Sequence, residues 1–588
     1  IERKTLAFAR KHGMRVIGPN CVGTMDMRSG LNTTFIKGMP PRGPIAFISQ
    51  SGAVCGGVVD LILESEVGFS HFASLGNEMD VSDADMIAYF GDDPDVKVIA
   101  VYLEGVQNGA RFIEEARRVS RIKPIVMLKA GRNNAGARAV SSHTGSLAGS
   151  YAAYQAVFSQ TGVLEVETLA ELFNVAWALG TQKLPEGKRV AIATNAGGAA
   201  ALLADNLSAN GAELAELSAD TQTRLRSKLN PSAQVANPVD MLGGAEPADY
   251  LWCLEQMMRD ENGDVLAPVL VPQALVDPLG VAQAWAQAAG QTDKTMLTCL
   301  MGERSVRAAR AFLNRTGVPV YQFPDQVGPV LRAMRAYGEY LRKPIYKPVE
   351  PKKADKNVVC TILKTNTGKA ALGEFETRDL LEAYGIPNVP GGLAENAQQA
   401  VEIAEKVGFP VALKIVAEGV LHKSDAGGII LNLGDKVSVS AGFKQLLSRI
   451  RAQFPEASIT GAMVEKMAPK GLEVIVGMRR DPTFGPMMMF GMGGTLVEQL
   501  KDISFRVAPL SAEDINEMVD STIAGKLLKG VRGSALADIE AVQAVIAALS
   551  QLSLDFPEIE EIEINPLVVY PQGQGALALD SRTVLRQA

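Results

Sequence analysis

From residue 46 onward the chain alternates short apolar runs, each ending in small polar residues, with stretches of helical character. IAFISQSGAV, VIAVYLEGV, PIVMLKAG, RVAIATNAGGAAALLADNL and DVLAPVLVPQ follow one another in this form. Apolar strands that alternate with helices predict parallel, doubly wound α/β sheets, in which ligands collect at the carboxyl ends of the strands. Two such domains are expected, over about 41–182 and 186–342. Residues 343–365 (KPIYKPVEPKKADKNVVCTILKT) are rich in Pro and Lys and poor in apolar period, the composition of an exposed linker. A last domain, 366–588, opens on the amphipathic stretch GEFETRDLLEAYG and continues with VGFPVALKIV, a strand carrying one lysine. It closes on EIEEIEINPLVVYPQGQGALALDSR, two alternating runs around a Pro/Gly turn, which predicts a β-hairpin. At the other end, IERKTLAFARKHGMRVIGPN starts inside a helix that leads into a strand, so residues 1–40 are expected to be the second half of an α/β unit.

Composition narrows the function classes. The 588 residues allow three or four ordinary domains. A net charge of -7, with 47% hydrophobic and 21% charged residues, describes a globular protein without bulk attraction for nucleic acid or anionic lipid. No apolar run approaches the roughly 20 residues of a membrane helix, and the N-terminus lacks the pattern of a signal peptide. Cys21, Cys55, Cys253, Cys299 and Cys360 are scattered, without metal-ligand spacing, which fits a reducing compartment; a cytoplasmic location is expected.

The candidate chemistry sits at strand ends and in polar loops. Of four histidines, His143 and His422 lie in Gly/Ser-rich surroundings, AVSSHTGSLAGS and LHKSDAGG, where the backbone can wrap an anion. A loop histidine alone reads as a solvated residue. Its neighbours change that. SQSGAVCGG and TNAGGAAALL each put small residues where a helix begins, so Ser51 with Gly52, and Asn195 with Gly197, mark two seats for phosphate at helix N-termini, although tight α/β packing explains such a turn equally well. Glu104 ends a strand 39 residues before His143 and can accept Nδ1–H from an imidazole, leaving Nε2 nucleophilic. In the last domain Lys414 can pair with ATP phosphates under the 421–428 loop, and Glu465 can accept from the adenine amino group. With the hairpin turn centred near Gly573, Asn565 and Asp580 fall on nearly opposite positions, and their oxygens suit Mg²⁺.

Taken in order, GPNCVG (18–23), SQSGAV (49–54), YLEG (102–105), SSHTGSLAG (141–149), TNAGG (194–198), NPVD (237–240), LHKSDAGG (421–428), FGMGG (490–494) and EINPL (563–567) resemble the ADP-forming acyl-CoA synthetases, a branch of the succinyl-CoA synthetase superfamily, with α-like and β-like parts fused. The resemblance covers nearly all of the chain. It implies two flavodoxin-like domains followed by an ATP-grasp domain, and a ligase that joins a carboxylic acid to coenzyme A at the expense of ATP, with Mg²⁺. It further implies that His143 is the phosphohistidine and Glu104 its supporting glutamate. Ser51, Gly52, Asn195 and Gly197 are then the loops that hold the phosphate. Lys414, Glu465, Asn565 and Asp580 are the ATP-grasp positions for phosphate, adenine and Mg²⁺, and His422 is a second histidine that relays phosphate. A homo-oligomer is expected. Family members begin with a CoA-binding Rossmann domain, of which residues 1–40 would be the end, roughly 100 residues lying before Ile1; a chain starting there is expected to bind CoA weakly. The acid is not legible: acetate or another short acid, or an aromatic acid such as ferulate. Two alternatives stand beside this, another ATP-grasp carboxylate ligase and the synthetase-like part of a protein acetyltransferase.

Overall fold

The computed structural model describes residues 1–133, 135, 150–351, 353–418, 427–494, 502–530 and 535–587. His143 and His422 lie outside the described residues. The chain divides into two compact units, Ile1–Lys343 and Pro344–Ala588.

The first unit holds two sheets. Five parallel strands, β3 (Arg42–Ser49), β4 (Phe69–Ser74), β5 (Val98–Leu103), β6 (Ile125–Lys129) and β7 (Leu164–Glu165), run in the order β4-β3-β5-β6-β7, the doubly wound flavodoxin order. The second sheet repeats it. β8 (Arg189–Thr194) is flanked on one side by β9 (Glu213–Leu214) and β10 (Val239–Asp240), which share its edge, and on the other by β11 (Val265–Leu270). Beyond β11 come β12 (Thr295–Met296), β13 (Thr298–Leu300) and β14 (Val320–Tyr321). The inner strands read as unbroken apolar runs because both faces are covered by helices: Ile45, Phe47, Val98, Val126, Val190 and Val265 are fully buried. One core continues across both sheets through Phe173, Trp177, Met334 and Tyr337 of the helices Leu169–Thr181 and Val327–Arg342. β4 (FSHFAS) escapes the apolar pattern because Ser70, His71 and Ser74 are buried with it; the His71 ring lies between Asp26 and Asp93, at 3.7 and 3.6 Å.

Residues 1–40 depart from the expected helix-to-strand order. β1 (Thr24–Asp26) adds antiparallel to β4, with Met25 opposite Phe72 and almost fully buried, and β2 (Leu31–Asn32) adds to β1, so this stretch extends the first sheet. No strand forms directly after the helix Glu2–Lys11. The backbone at Val16 instead donates to the Asp80 carboxylate and accepts from Val81 N–H.

The second unit contains a four-stranded sheet in the order β15-β18-β16-β17, made of Gly391–Ala394 (β15), Val411–Glu418 (β16), Ile429–Leu433 (β17) and Ser458–Lys466 (β18). A larger antiparallel sheet is built on Leu472–Asp481 (β19), Gly485–Met492 (β20), Ile503–Val507 (β21) and Ile559–Val569 (β22); Ala576–Ala578 (β23) and Ser581–Leu585 (β24) both pair with β22. The segment expected to be linker differs from that reading in its second half. Lys356–Thr365 is a helix, started by the Asp355 carboxylate and buried through Val359, with Ile362 and Leu363 packed on the same core at i, i+3 and i+4 spacing. Among the described residues no helix is long and apolar enough to cross a membrane.

Candidate active site

Both sheets of the first unit end their first strand in the same device. Ser49, last in β3, accepts Ser51 N–H at its hydroxyl and donates that hydroxyl to Ser51 O, at 3.2 and 3.0 Å. Thr194, last in β8, does the same with Ala196, at 3.0 and 3.2 Å. Each turn delivers a glycine as the first helical residue, Gly52 and Gly197, and a Cβ at either would stand 3.0 Å from a neighbour, Val22 Cγ2 or Asp240 Oδ2. Neither cap residue, Ser51 or Ala196, gives its helix a side-chain hydrogen bond, whereas Ser82, Ser150, Thr168 and Ser218 do so for theirs. Two helix N-termini thus keep their positive dipole ends without a side-chain cap, a condition for seating an anion.

Between the hydroxyl residue and the cap stands an amide. Asn195 is 2% exposed; its Nδ2 donates to Val271 O and its Oδ1 accepts from Val271 N–H, both at 2.9 Å. Gln50 reaches the equivalent place beside β5, where its Oε1 accepts from Glu104 N–H and from Gly105 N–H (3.0 Å) and its Nε2 donates to Gly105 O (2.7 Å). Both amides therefore lock the point where the strand order reverses, the ligand crevice of this topology. The Asn195 side chain is spent on the end of β11, so what that position can offer an anion is backbone. Glu104 is half-buried at the first of these points. Lys129, at the end of β6, donates Nζ to Glu104 O (2.8 Å) and to Ala130 O, and lies 4.6 Å from the centre of the Tyr154 ring. Burial lowers the Lys129 pKa to about 8, against the opposing pull of Glu104 and Glu165. The segment that carries His143 leaves from this end of β6.

The second unit gathers its candidates around Lys414. From β16 its Nζ meets Glu465 Oε2 of β18 at 2.7 Å, donates to Leu579 O at 2.6 Å and lies 3.8 Å from Glu374 Oε1. Arg378 holds the other Glu465 oxygen at 2.5 Å and also donates to Val389 O. Burial pushes the Lys414 ammonium down, but Glu465, Glu374 and Asp580 outweigh it and its pKa rises. Glu465, expected at the adenine, is 4% exposed, with one oxygen on Arg378 and the other on Lys414. Asn565 N–H donates to Asp580 O at 3.0 Å, one step past the β22–β24 pair Ile564 and Ser581; the hairpin register thus brings together the two residues singled out for a cation. Asn565 Oδ1 also accepts from Gly494 N–H at 3.1 Å, within the FGMGG stretch. An amide and a carboxylate oxygen fit a hard divalent cation such as Mg²⁺. Gln50, Glu78, Lys129, Arg378 and Glu374 are not singled out by the sequence; only contiguity with SQSG marks Gln50.

Three family models match in succession: a succinyl-CoA ligase like flavodoxin domain over residues 42–179, a Ligase-CoA domain over 190–338 and an ATP-grasp domain over 364–585. The ADP-forming acetate–CoA ligase I of Archaeoglobus fulgidus is 39% identical over 593 aligned residues, which cover 100% of this chain and 84% of that protein. The ADP-forming 4-hydroxybutyrate–CoA ligase of Nitrosopumilus maritimus is 34% identical over 99% of this chain and 84% of its own length. A trans-feruloyl-CoA synthase of an unknown prokaryotic organism is 30% identical over 98% and 82%. Among solved structures, the dinucleotide-forming acetyl-coenzyme A synthetase 1 of Ca. Korarchaeum cryptofilum, in complex with phosphate and ADP, superposes with a TM-score of 0.55 at 34% identity, covering 59% of this chain and 76% of that one. With two flavodoxin-like sheets, an ATP-grasp unit and relatives that match from end to end, the chain belongs to the ADP-forming acyl-CoA ligase family, as a fused acid–CoA ligase.

Proposed function

We propose that this enzyme converts a carboxylic acid, CoA and ATP into acyl-CoA, ADP and phosphate, and that His143 carries the phosphoryl group between the two units. The observation that supports this best is the pair of matched turns with helix ends free of side-chain caps, one in each sheet of the first unit, beside a second unit whose only lysine on β16 is set among carboxylates. The γ-phosphoryl of ATP reaches Nε2 of His143 by way of His422, and ADP leaves. The acid's carboxylate oxygen then attacks the phosphohistidine, the N–P bond breaks and acyl phosphate forms. CoA thiolate attacks the acyl carbon and phosphate departs with the C–O bonding pair. A histidine is used because phosphate must pass between separate units without loss to water.

In this scheme Glu104 accepts Nδ1–H of the imidazole and stabilises the charged ring, while the turns at Ser51–Gly52 and Asn195–Gly197 seat the phosphate through backbone N–H groups. Lys414 pairs with the nucleotide phosphates, and His422 relays phosphate from the nucleotide toward His143. Asn565 and Asp580 would hold Mg²⁺, which when bound neutralises charge on the nucleotide phosphates. The substrate is a short-chain acid or an aromatic acid. The relatives named for acetate, 4-hydroxybutyrate and ferulate span that range. The five free cysteines agree with a cytoplasmic site of action. The test is phosphoenzyme formation from γ-labelled ATP. Wild-type protein should take up acid-labile, base-stable label and His143→Ala none; a variant labelled at the normal rate removes the carrier.

A further inference from the structure

The two matched turns are not equal, and the first has polar groups that the second lacks. Among the described residues the Asn195 side chain bonds to Val271 alone, whereas Gln50, one methylene longer, spends a further Nε2 bond of 2.7 Å on Oε1 of Glu78. Glu78 follows β4 at the same end of the sheet. It is 4% exposed, its Oε2 has no hydrogen-bond partner among the described residues, and its near charged neighbours Asp83 and Asp85 are carboxylates too. A buried carboxyl with one oxygen left unbonded is costly to fold around, so its presence calls for a use. The use nearest to hand is the turn at Glu104. Its N–H is held by Gln50, its C=O by Lys129 Nζ, and the N–H of Val106 two residues on by the Tyr154 hydroxyl at 3.1 Å. Side chains from three elements thus fix one short stretch of backbone. The position equivalent to Glu104 in the second sheet is Val271, held by one amide.

We propose that Gln50 and Glu78 are a positioning pair for Glu104: Glu78 fixes the Gln50 amide, and the amide fixes the turn that presents the Glu104 carboxylate to the phosphoryl-carrying imidazole. The inference rests on Glu104 being the partner of His143 in the function proposed above. Its physical ground is that a carboxylate–imidazole bond works only within a few tenths of an ångström, and a turn at a strand end has that freedom to lose. The second turn is the internal comparison, the same amide device where no carboxylate needs aiming.

The test is a double-mutant cycle read as the rate of phosphoenzyme formation from γ-labelled ATP, a reaction without CoA. Gln50→Leu and Glu78→Ala should each slow labelling about tenfold or more, with the ATP concentration dependence unchanged. Glu78→Gln should return it to within about threefold of wild type, since a glutamine oxygen still accepts from Gln50 Nε2. In a Glu104→Gln background, Gln50→Leu should cost little more, because what it positions is already gone. Equal slowing by Gln50→Leu in both backgrounds, or Glu78→Gln as slow as Glu78→Ala, overturns the pair and leaves Glu104 standing. Normal labelling by Glu104→Gln alone overturns Glu104 and the pair with it. Should Gln50→Leu melt below the assay temperature, Gln50→Met, of the same length and without the amide, takes its place in the cycle. Slowing confined to the Glu104 background then supports the pair, and equal slowing in both backgrounds overturns it.

Discussion

Glu104 and Val271 hold the same place in two copies of one turn. Ser49 pairs with Tyr102 and Thr194 with Val269, and in each copy the next side chain is an amide that bonds the backbone two residues further along the neighbouring strand, at Glu104 and at Val271. One copy displays a carboxylate there and the other an apolar side chain. The amide device is common to both turns, whereas the carboxylate of Glu104 belongs to one of them.

Asn195→Leu tests the scaffolding role. It leaves the N–H and C=O of Val271 without the amide that holds them in a buried place, which should cost about 1–3 kcal/mol, measured as a lower urea midpoint for the first unit. An unchanged midpoint would show that water replaces the amide.

Lys414→Met should abolish labelling from ATP and also destabilise the second unit by about 3–5 kcal/mol, since it leaves two buried carboxylates, Glu465 and Glu374, with Arg378 on Glu465 as the remaining partner cation among the described residues. Adding Glu465→Gln should recover part of the stability and none of the labelling. Full recovery of labelling would mean that Lys414 serves only the fold.

Asp580→Asn removes the one full charge from the candidate cation pair, so labelling should need a Mg²⁺ concentration at least about tenfold higher, with the thermal melt of the protein little changed. A Mg²⁺ dependence that does not move puts the cation elsewhere.

His422→Ala should slow labelling from ATP more than labelling from acyl phosphate. Equal losses would give His422 a passive phosphate-binding part.

Stability should fall toward alkaline pH. Burial, then the nearby Asp83, raises the Glu78 pKa to about 9, and burial raises Asp83 to about 7. The folded state therefore keeps protons that the unfolded chain releases above about 4.5. The contribution is fully present below that pH and is lost as pH rises through the folded values. The urea midpoint of wild type should drop between about pH 6 and pH 9, and that of Glu78→Gln should drop less. Parallel curves would show that Glu78 does not titrate in this range.

Much is legible in the chain itself. Alternating apolar strands and helices announce two doubly wound sheets, because burial on both faces writes itself as unbroken apolar runs such as those of β3, β5, β8 and β11. In the second unit single positions are legible, Lys414 on its strand and Asn565 opposite Asp580 across a turn whose length sets the register. Relationships between distant residues stay illegible. Gln50 meets Glu78 and Glu104 only because β4, β3 and β5 lie side by side in an order unlike that of the chain. That Arg378, 87 residues away, meets Glu465 is not legible either, since spacing shows where a carboxylate sits on its strand and not which cation comes to it. The helix Lys356–Thr365 is hidden by the Pro- and Lys-rich stretch before it, and β4 by polar residues whose partners come from elsewhere. Local periodicity encodes what each segment buries, which the sequence determines by itself; the pairing of buried polar groups depends on which segments become neighbours, and only the tertiary structure decides that.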